Sequence, residues 1–292
     1  MSGERLGIAL RILSGLLFAG MVVCVKAVGD AAPLGQIVFF RSAVALIPLV
    51  IFLRLRGEFP AGLRTRRPFG HIARCLLGGA AMFTSFATLR LLPVAEATML
   101  GYLSPVMQVA LAAVLLREMV GPRRWLGVAL GLAGAAALTA PGLGGGEARA
   151  LGVALGLLTA ALTAGALIQV RRLSVLGEGA GAIAFYFALV SALLGLATLP
   201  LGWALPDAPT LAALVGAGLF GGAAHIAMTL SFRHAEASVL APFEYLTLIW
   251  AALAGLAVFA ETPSPAFALA APLVVAGAVV ASGGALRRSR PA

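Results

Sequence analysis

Long apolar runs, broken by short clusters of arginine, proline and glycine, set the pattern of this chain. A helix that crosses the ~30 Å hydrocarbon core of a bilayer needs about 20 mainly apolar residues. Runs of that order occur ten times, predicting spans at 6–25, 33–53, 72–89, 95–116 and 125–140, and then at 151–170, 180–203, 210–232, 237–260 and 265–286. The loop at 54–71 is arginine-rich, and residues 141–150 form a glycine-rich linker between two sets of five. The pattern predicts an all-α membrane protein with one five-helix unit over 1–140 and a second over 151–292.

The basic residues test that count, because cytoplasmic loops carry the excess of Lys and Arg. With the N-terminus inside, one side receives Arg5, Arg11, Arg54, Arg56, Arg64, Arg66, Arg67, Arg74, Arg117, Arg123, Arg124, Arg171, Arg172, Arg233, Arg287, Arg288 and Arg290. The other side receives only Lys26, Arg90 and Arg149, and Arg41 falls inside the second span. A miscounted helix would scramble this alternation, so the expected orientation places both termini in the cytoplasm.

A repeat gives the two sets a geometric relation. Ala95-Glu96-Ala97-Thr98 returns as Ala235-Glu236-Ala237-Ser238, and each copy opens an apolar segment. Those segments end in the same spacing of Glu and Pro, as Glu118 with Pro122 and as Glu261 with Pro265. Five crossings, an odd number, separate the copies, so the halves are expected to be antiparallel, as in inverted-repeat transporters. Glu96 and Glu236 stand at helix starts, where a carboxylate favours the positive end of the helix dipole.

Composition narrows the class further. Residues are 61% hydrophobic and 11% charged, and mean hydropathy is +1.03. Although the isoelectric point is about 11.3, the positive charge lies in short loops without interleaved aromatics, which excludes a nucleic-acid partner. Cys24 and Cys75 lie in or at the edge of apolar runs with no CxxC spacing, so neither a disulfide nor a metal site is expected. Arg5 and Arg11 before the first apolar run resemble a secretory signal, but no cleavage-like site follows, and the run reads as a retained helix. No GxxxxGK[ST], HExxH or GxSxG occurs, so neither ATP hydrolysis nor hydrolase chemistry is expected, and no cofactor.

Three stretches carry a family resemblance: Phe40-Arg41 in span two, the segment from Pro105 to Glu118 in span four, and APFEYLTLIWAALAGLAVFAE from Ala241 to Glu261. On these the chain resembles the drug/metabolite transporter superfamily, in particular its EamA-type members with two five-helix halves, amino-acid exporters among them. The resemblance covers essentially the whole chain. It implies a basket in which spans one, three, four, six, eight and nine line a midplane cavity while five and ten stay peripheral. Gly127, Gly131 and Gly134 in span five, with Ala270, Gly277 and Gly284 in span ten, suit close packing. Span seven departs from the pattern, with Phe185-Tyr186-Phe187 in place of an arginine matching Arg41.

Charges inside a bilayer are costly and usually face the protein interior. Arg41 lies about eight residues from the outer end of span two, and Glu244 about seven from the inner end of span nine, roughly 12 and 10 Å at the helical rise. Either they form structural charges, paired or separately satisfied, or they face the cavity and recognise a zwitterion or respond to protons. Glu244 shares its face with Ala241, Thr247, Ala251 and Gly255, a small and slightly polar stripe that points into the bundle. His225, on a face with Gly218, Gly221 and Met228, suits either a proton relay or a packed hydrogen bond. Tyr102, Pro105 and Gln108 share a face of span four, and Phe83 and Phe86 one of span three. Together with Tyr245 and Trp250 they form either a pocket for organic solutes or ordinary packing. Pro48 and Pro105 are candidate hinges, since proline frees a carbonyl and permits a kink.

The expected function is movement of small organic metabolites, with amino acids or related compounds as first choice and export as the favoured direction, across a bacterial-type inner membrane. The expected partners are the solute and the lipid bilayer, in a monomer or homodimer. A membrane-embedded enzyme or lipid-handling protein is the rival reading.

Overall fold

A computed structural model describes residues 3–115, 121–139, 146–235, 240, 243 and 246–282. Among these the chain is all-helical, without strands. The helices are α1 (Gly3–Val28), α2 (Leu34–Leu55), α3 (Pro68–Leu91), α4 (Val94–Gly101), α5 (Ser104–Leu115) and α6 (Pro122–Thr139). They continue with α7 (Gly146–Val175), α8 (Ala180–Leu196), α9 (Ala208–His234), α10 (Leu246–Phe259) and α11 (Pro265–Ser282). Helix is the form such sequences must take in lipid, because every backbone N–H and C=O needs a partner within its own segment. Six of the described helices are long and apolar enough to cross a membrane by themselves, and the apolar stretches 125–137, 246–259 and 265–277 are shorter. Large side chains such as Leu16, Ile47, Ile51, Leu193 and Leu253 face outward, about half exposed, as a lipid-bathed surface requires.

Every segment read as a span contains helix, and the differences have local causes. Segment 95–116 holds two helices, α4 and α5, broken at Tyr102 and Leu103. Pro105 has no N–H to give to the carbonyl of Gly101 four residues back. The hydroxyl of Ser104 donates to that carbonyl instead, at 2.7 Å. Pro48, in contrast, lies inside an unbroken α2. Segment 180–203 is helical only to Leu196; a short 3₁₀ turn, Leu199–Leu201, follows and closes at Gly202 with φ +91°, a conformation that glycine adopts without strain. α7 starts at Gly146, inside the stretch read as linker, with Glu147 in its first turn. Asp207 caps α9, its Oδ1 accepting the Thr210 N–H at 3.0 Å.

The packing partners cross between the first five segments and the last five. The most extensive contacts are α1 with α9, α6 with α11, α3 with α7, and α2 with both α8 and α9; α4 touches α10 and α7. Small residues permit the closest of these. A Cβ on Gly277 would lie 2.5 Å from the backbone N of Gly131 and 2.8 Å from the carbonyl O of Gly127, and one on Gly134 would lie 2.9 Å from the carbonyl O of Ala270. Gly127, Gly131, Gly134 and Gly277 are therefore on the surface where α6 and α11 meet, and Gly284 lies outside the described residues. Two apolar clusters result. One gathers Met99, Leu100, Leu103, Val153, Leu248 and Val274; the other gathers Val25, Ile37, Val38, Phe86, Leu89 and Leu214. Ala97 packs against both.

Candidate functional site: a hydroxyl-lined cavity beneath an ion-pair network

Around Ala97, between the two clusters, lies a cavity of about 200 Å³. Phe18, Met21 and Val22 of α1 form one wall, and Ser85, Thr88 and Leu89 of α3 a second. Ala97, Thr98 and Gly101 of α4, Gly156 and Thr159 of α7, and Thr247 of α10 complete it. Five of these residues bring hydroxyls into an otherwise apolar lining, and none is charged. Helix geometry aligns them: Thr84 and Thr88 are one turn apart on α3, where the Thr88 hydroxyl donates to the Thr84 carbonyl at 2.9 Å. Thr159 Oγ1 lies 2.7 Å from Thr84 Oγ1 and 2.8 Å from the Leu155 carbonyl, joining α3 to α7. Gly156 keeps the wall thin, since a Cβ there would lie 2.5 Å from Leu100 Cδ1.

At the end of the bundle that carries Lys26, Arg90 and Arg149, each of these cations is paired. Lys26 forms an ion pair with Glu261 Oε1 and donates to the Leu92 carbonyl at 2.8 Å. Glu261 Oε2 accepts the Val94 N–H at 2.8 Å, so a carboxylate from the α10–α11 loop caps the first turn of α4. Arg149 lies 3.0 Å from Glu96 Oε2, and Glu96 Oε1 accepts from the Ser264 hydroxyl at 2.8 Å. Arg90 donates to the Ala32 carbonyl. Glu96 is fully buried, which is affordable for a carboxylate only with such partners. The network ties α1, α4, α7 and the α10–α11 loop together, with Glu96 next in the chain to Ala97 of the cavity lining.

The opposite end is held differently. His71 Nε2 lies 3.0 Å from Glu178 Oε2, and the Arg66 N–H donates to Glu178 Oε1 at 2.9 Å. The hydrogen bond from His71 holds the Glu178 carboxyl below its ordinary range, with the Arg66 N–H adding to the effect. The Tyr186 hydroxyl donates to the Leu63 carbonyl at 2.8 Å, so the arginine-rich loop is docked on the turn between α7 and α8.

Of the residues singled out from sequence, Arg41 and His225 meet: Arg41 Nη2 lies 3.2 Å from His225 Nε2. Guanidinium nitrogens only donate, so Nε2 accepts and the imidazole proton sits on Nδ1. Phe86 is buried in the α1–α2–α3–α9 cluster and Phe83 packs against it. Tyr102 closes α4, donating its N–H to the Met99 carbonyl at 3.0 Å, and packs against the other cluster. Gln108 is half-buried on α5, Met228 on α9 and Trp250 on α10. None of these eight lines the cavity around Ala97, and Glu244 and Tyr245, like Glu118 and Glu236, lie outside the described residues. Sequence reasoning passed over Ser85, Thr88, Thr159 and Arg74. The four-residue spacing of Thr84 and Thr88 in an apolar run was the available signal for Thr88.

Known proteins resemble this chain along most of its length. Residues 5–140 match the EamA-like transporter family. The chain carries an EamA-family domain. It is 28% identical over 284 residues to a riboflavin transporter of Rhizobium johnstonii, a match covering 96% of this chain and 91% of that protein. It is 27% identical over 225 residues to an S-adenosylmethionine uptake transporter of Rickettsia prowazekii, covering 77% and 74%. A pseudopaline exporter of Pseudomonas aeruginosa is 27% identical over 280 residues, covering 94% and 92%. A solved crystal structure superposes with a TM-score of 0.66 at 22% identity, over 97% of this chain and 99% of the other, which shows the shared fold. Family and relatives indicate a membrane transporter of small molecules rather than an enzyme.

Proposed function

We propose that this protein carries amino acids or related small metabolites across a bacterial-type inner membrane, in the export direction, by alternating access between two inverted five-helix halves. The carrying observation is the hydroxyl-lined cavity at the junction of helices from both halves, flanked on α1 and α4 by an ion-pair network. At about 200 Å³ it is smaller than the roughly 300–1,000 Å³ of sites for drug-sized ligands, which favours solutes of amino-acid size. Uncharged hydroxyls can exchange hydrogen bonds with a solute in either state of a carrier without holding it too firmly to leave.

The packing pattern supports the inverted halves. If span n corresponds to span n+5, the contact of α1 with α9 (spans one and eight) must be matched by one between spans six and three. That is the contact of α7 with α3. Likewise α2 with α9 is matched by α8 with α3, while α2 with α8, α4 with α10 and α6 with α11 each map onto themselves. The pairing survives exchange of the halves, as an axis in the membrane plane requires.

The test is counterflow in proteoliposomes: vesicles preloaded with an unlabelled amino-acid mixture should accumulate labelled amino acid transiently above equilibrium. Monotonic equilibration alone would mark a channel, and no entry at all would remove the amino-acid reading. Efflux from oriented vesicles faster than influx under matched gradients checks the export direction.

A further inference from the structure

Behind the wall of the cavity formed by Phe18 and Met21 lies a second polar feature, which the hydroxyl lining does not use. Arg41 of α2 is only 5% exposed. Apart from His225, its side chain has no partner among the described residues, and its Nε is buried without a hydrogen bond. Arg74 of α3 adds two more buried donors without partners, Nε and Nη1. Its guanidinium stacks over the Phe187 ring of α8, 4.2 Å from the centroid. Both guanidinium groups lie among α2, α3, α8 and α9, which pack on one another. Among the described residues neither forms an ion pair with a carboxylate, and His225, accepting at Nε2, brings no negative charge.

Local backbone is shaped around both groups. A Cβ on Gly78 would lie 2.1 Å from Arg74 Nη1 and 2.7 Å from the Phe187 ring, so only glycine leaves room for that guanidinium. On α9, a Cβ on Gly221 would lie 3.3 Å from Arg41 Nε and 2.9 Å from Met21 Sδ. The His225 ring meets the Phe18 ring edge to face, with centroids 5.1 Å apart. Met21 and Phe18 both line the cavity, so Arg41 and His225 stand one side chain behind it.

A buried cation without a counter-charge is strongly unfavourable, and Arg74, half-buried, adds a second cation with unfilled donors. The Phe187 face offsets part of this for Arg74, but it leaves the donors unfilled. Two planar forks of N–H groups match the geometry of carboxylate oxygens. We propose that Arg41 and Arg74 form the recognition site for a carboxylate group of the transported solute, which makes the substrates of this protein organic anions or zwitterions. This rests on the carrier reading above and narrows its substrate class. Met21 and Phe18 are then the side chains that must shift as the solute moves from the hydroxyl-lined chamber to the basic pair.

The experiment compares succinate with succinamide, which has the same skeleton without charge, on the purified full-length chain in detergent. Succinate should raise the melting temperature and succinamide should not. Arg41→Gln and Arg74→Gln should each raise the half-saturating succinate concentration about ten-fold or more, as loss of a charge-assisted hydrogen bond predicts. Because Arg74→Gln removes a cation with no carboxylate partner among the described residues, its ligand-free melting temperature should hold or rise. Equal responses to succinate and succinamide, or an unchanged succinate response in the variants, would overturn the proposal. So would a lower ligand-free melting temperature in Arg74→Gln with its succinate response intact, which marks a purely structural role. If Arg41→Gln does not fold, Arg74→Gln decides alone. Counterflow separates this from the parent reading: counterflow of both solutes at equal rates keeps the carrier and removes the anion site. A succinate shift without any counterflow keeps the site and removes the carrier.

Discussion

Replacing Glu261 tests whether the network beside the cavity is a cap or merely an ion pair. Glu261 does two jobs with its two oxygens, accepting the Val94 N–H at 2.8 Å and pairing with Lys26. A hydrogen bond from a backbone N–H to a carboxylate contributes about 1.5–3 kcal/mol, and a carboxylate at a helix start adds about 0.3–1 kcal/mol. The ion pair contributes less. Its side chains are 16% and 20% exposed, and surface-accessible pairs are worth about 0–1 kcal/mol. Lys26 also keeps the Leu92 carbonyl when Glu261 is lost. Glu261→Ala should therefore destabilise by about 2–4 kcal/mol, the sum of the cap and dipole contributions. Glu261→Gln retains an acceptor for Val94 and should lose only about 1 kcal/mol, and Lys26→Met should lose no more than that. Thermal unfolding of the three variants in one detergent, followed by circular dichroism, gives the order. If Glu261→Gln is as damaging as Glu261→Ala, charge rather than capping is what matters. If Glu261→Ala melts like wild type, the cap does not form in the protein.

Three further outcomes follow from other parts of the fold. Gly277→Ala should destabilise by about 1–3 kcal/mol through overpacking against the α6 backbone, while Gly165→Ala, whose Cβ would find only Leu77 methyls at 3.5 and 3.8 Å, should stabilise by up to about 1 kcal/mol; parallel melting curves check both. Glu178 has a depressed carboxyl in the folded state, so its contribution is fully present above the ordinary carboxylate range and is lost as pH falls through the lower folded value. Glu178→Gln should remove that acid-side loss, seen as a flatter dependence of melting temperature on pH below about 4.5, the unperturbed glutamate range. Thr159→Val removes a hydroxyl that joins α3 to α7 at the cavity wall, and should lower stability by about 1 kcal/mol while changing the apparent KM for transported solute measured in proteoliposomes.

Much of the architecture was legible because membrane helices are local objects. The ten apolar runs each contain helix, and the glycines at 127, 131, 134 and 277 were recognisable as a packing surface before their partners were known. The repeated Glu and Pro spacing marked Glu261, but its task as a cap for α4 was not readable, because Val94 lies 167 residues away. Arg41 was visible as an intramembrane charge. Arg74 was not, because near the end of an apolar run an arginine counts first as a loop charge.

The sequence by itself determined that the described residues are helical, that each apolar run contains helix, and which family the chain resembles. Those properties follow from backbone hydrogen bonding inside each segment and from the charge of short loops. Only the tertiary structure decided which faces meet. In lipid, an apolar face turned to a neighbouring helix and one turned to acyl chains have the same composition, so periodicity alone does not choose between them. The five-hydroxyl lining, the pairing of Lys26, Arg90 and Arg149 and the meeting of Arg41 with His225 all depend on that choice.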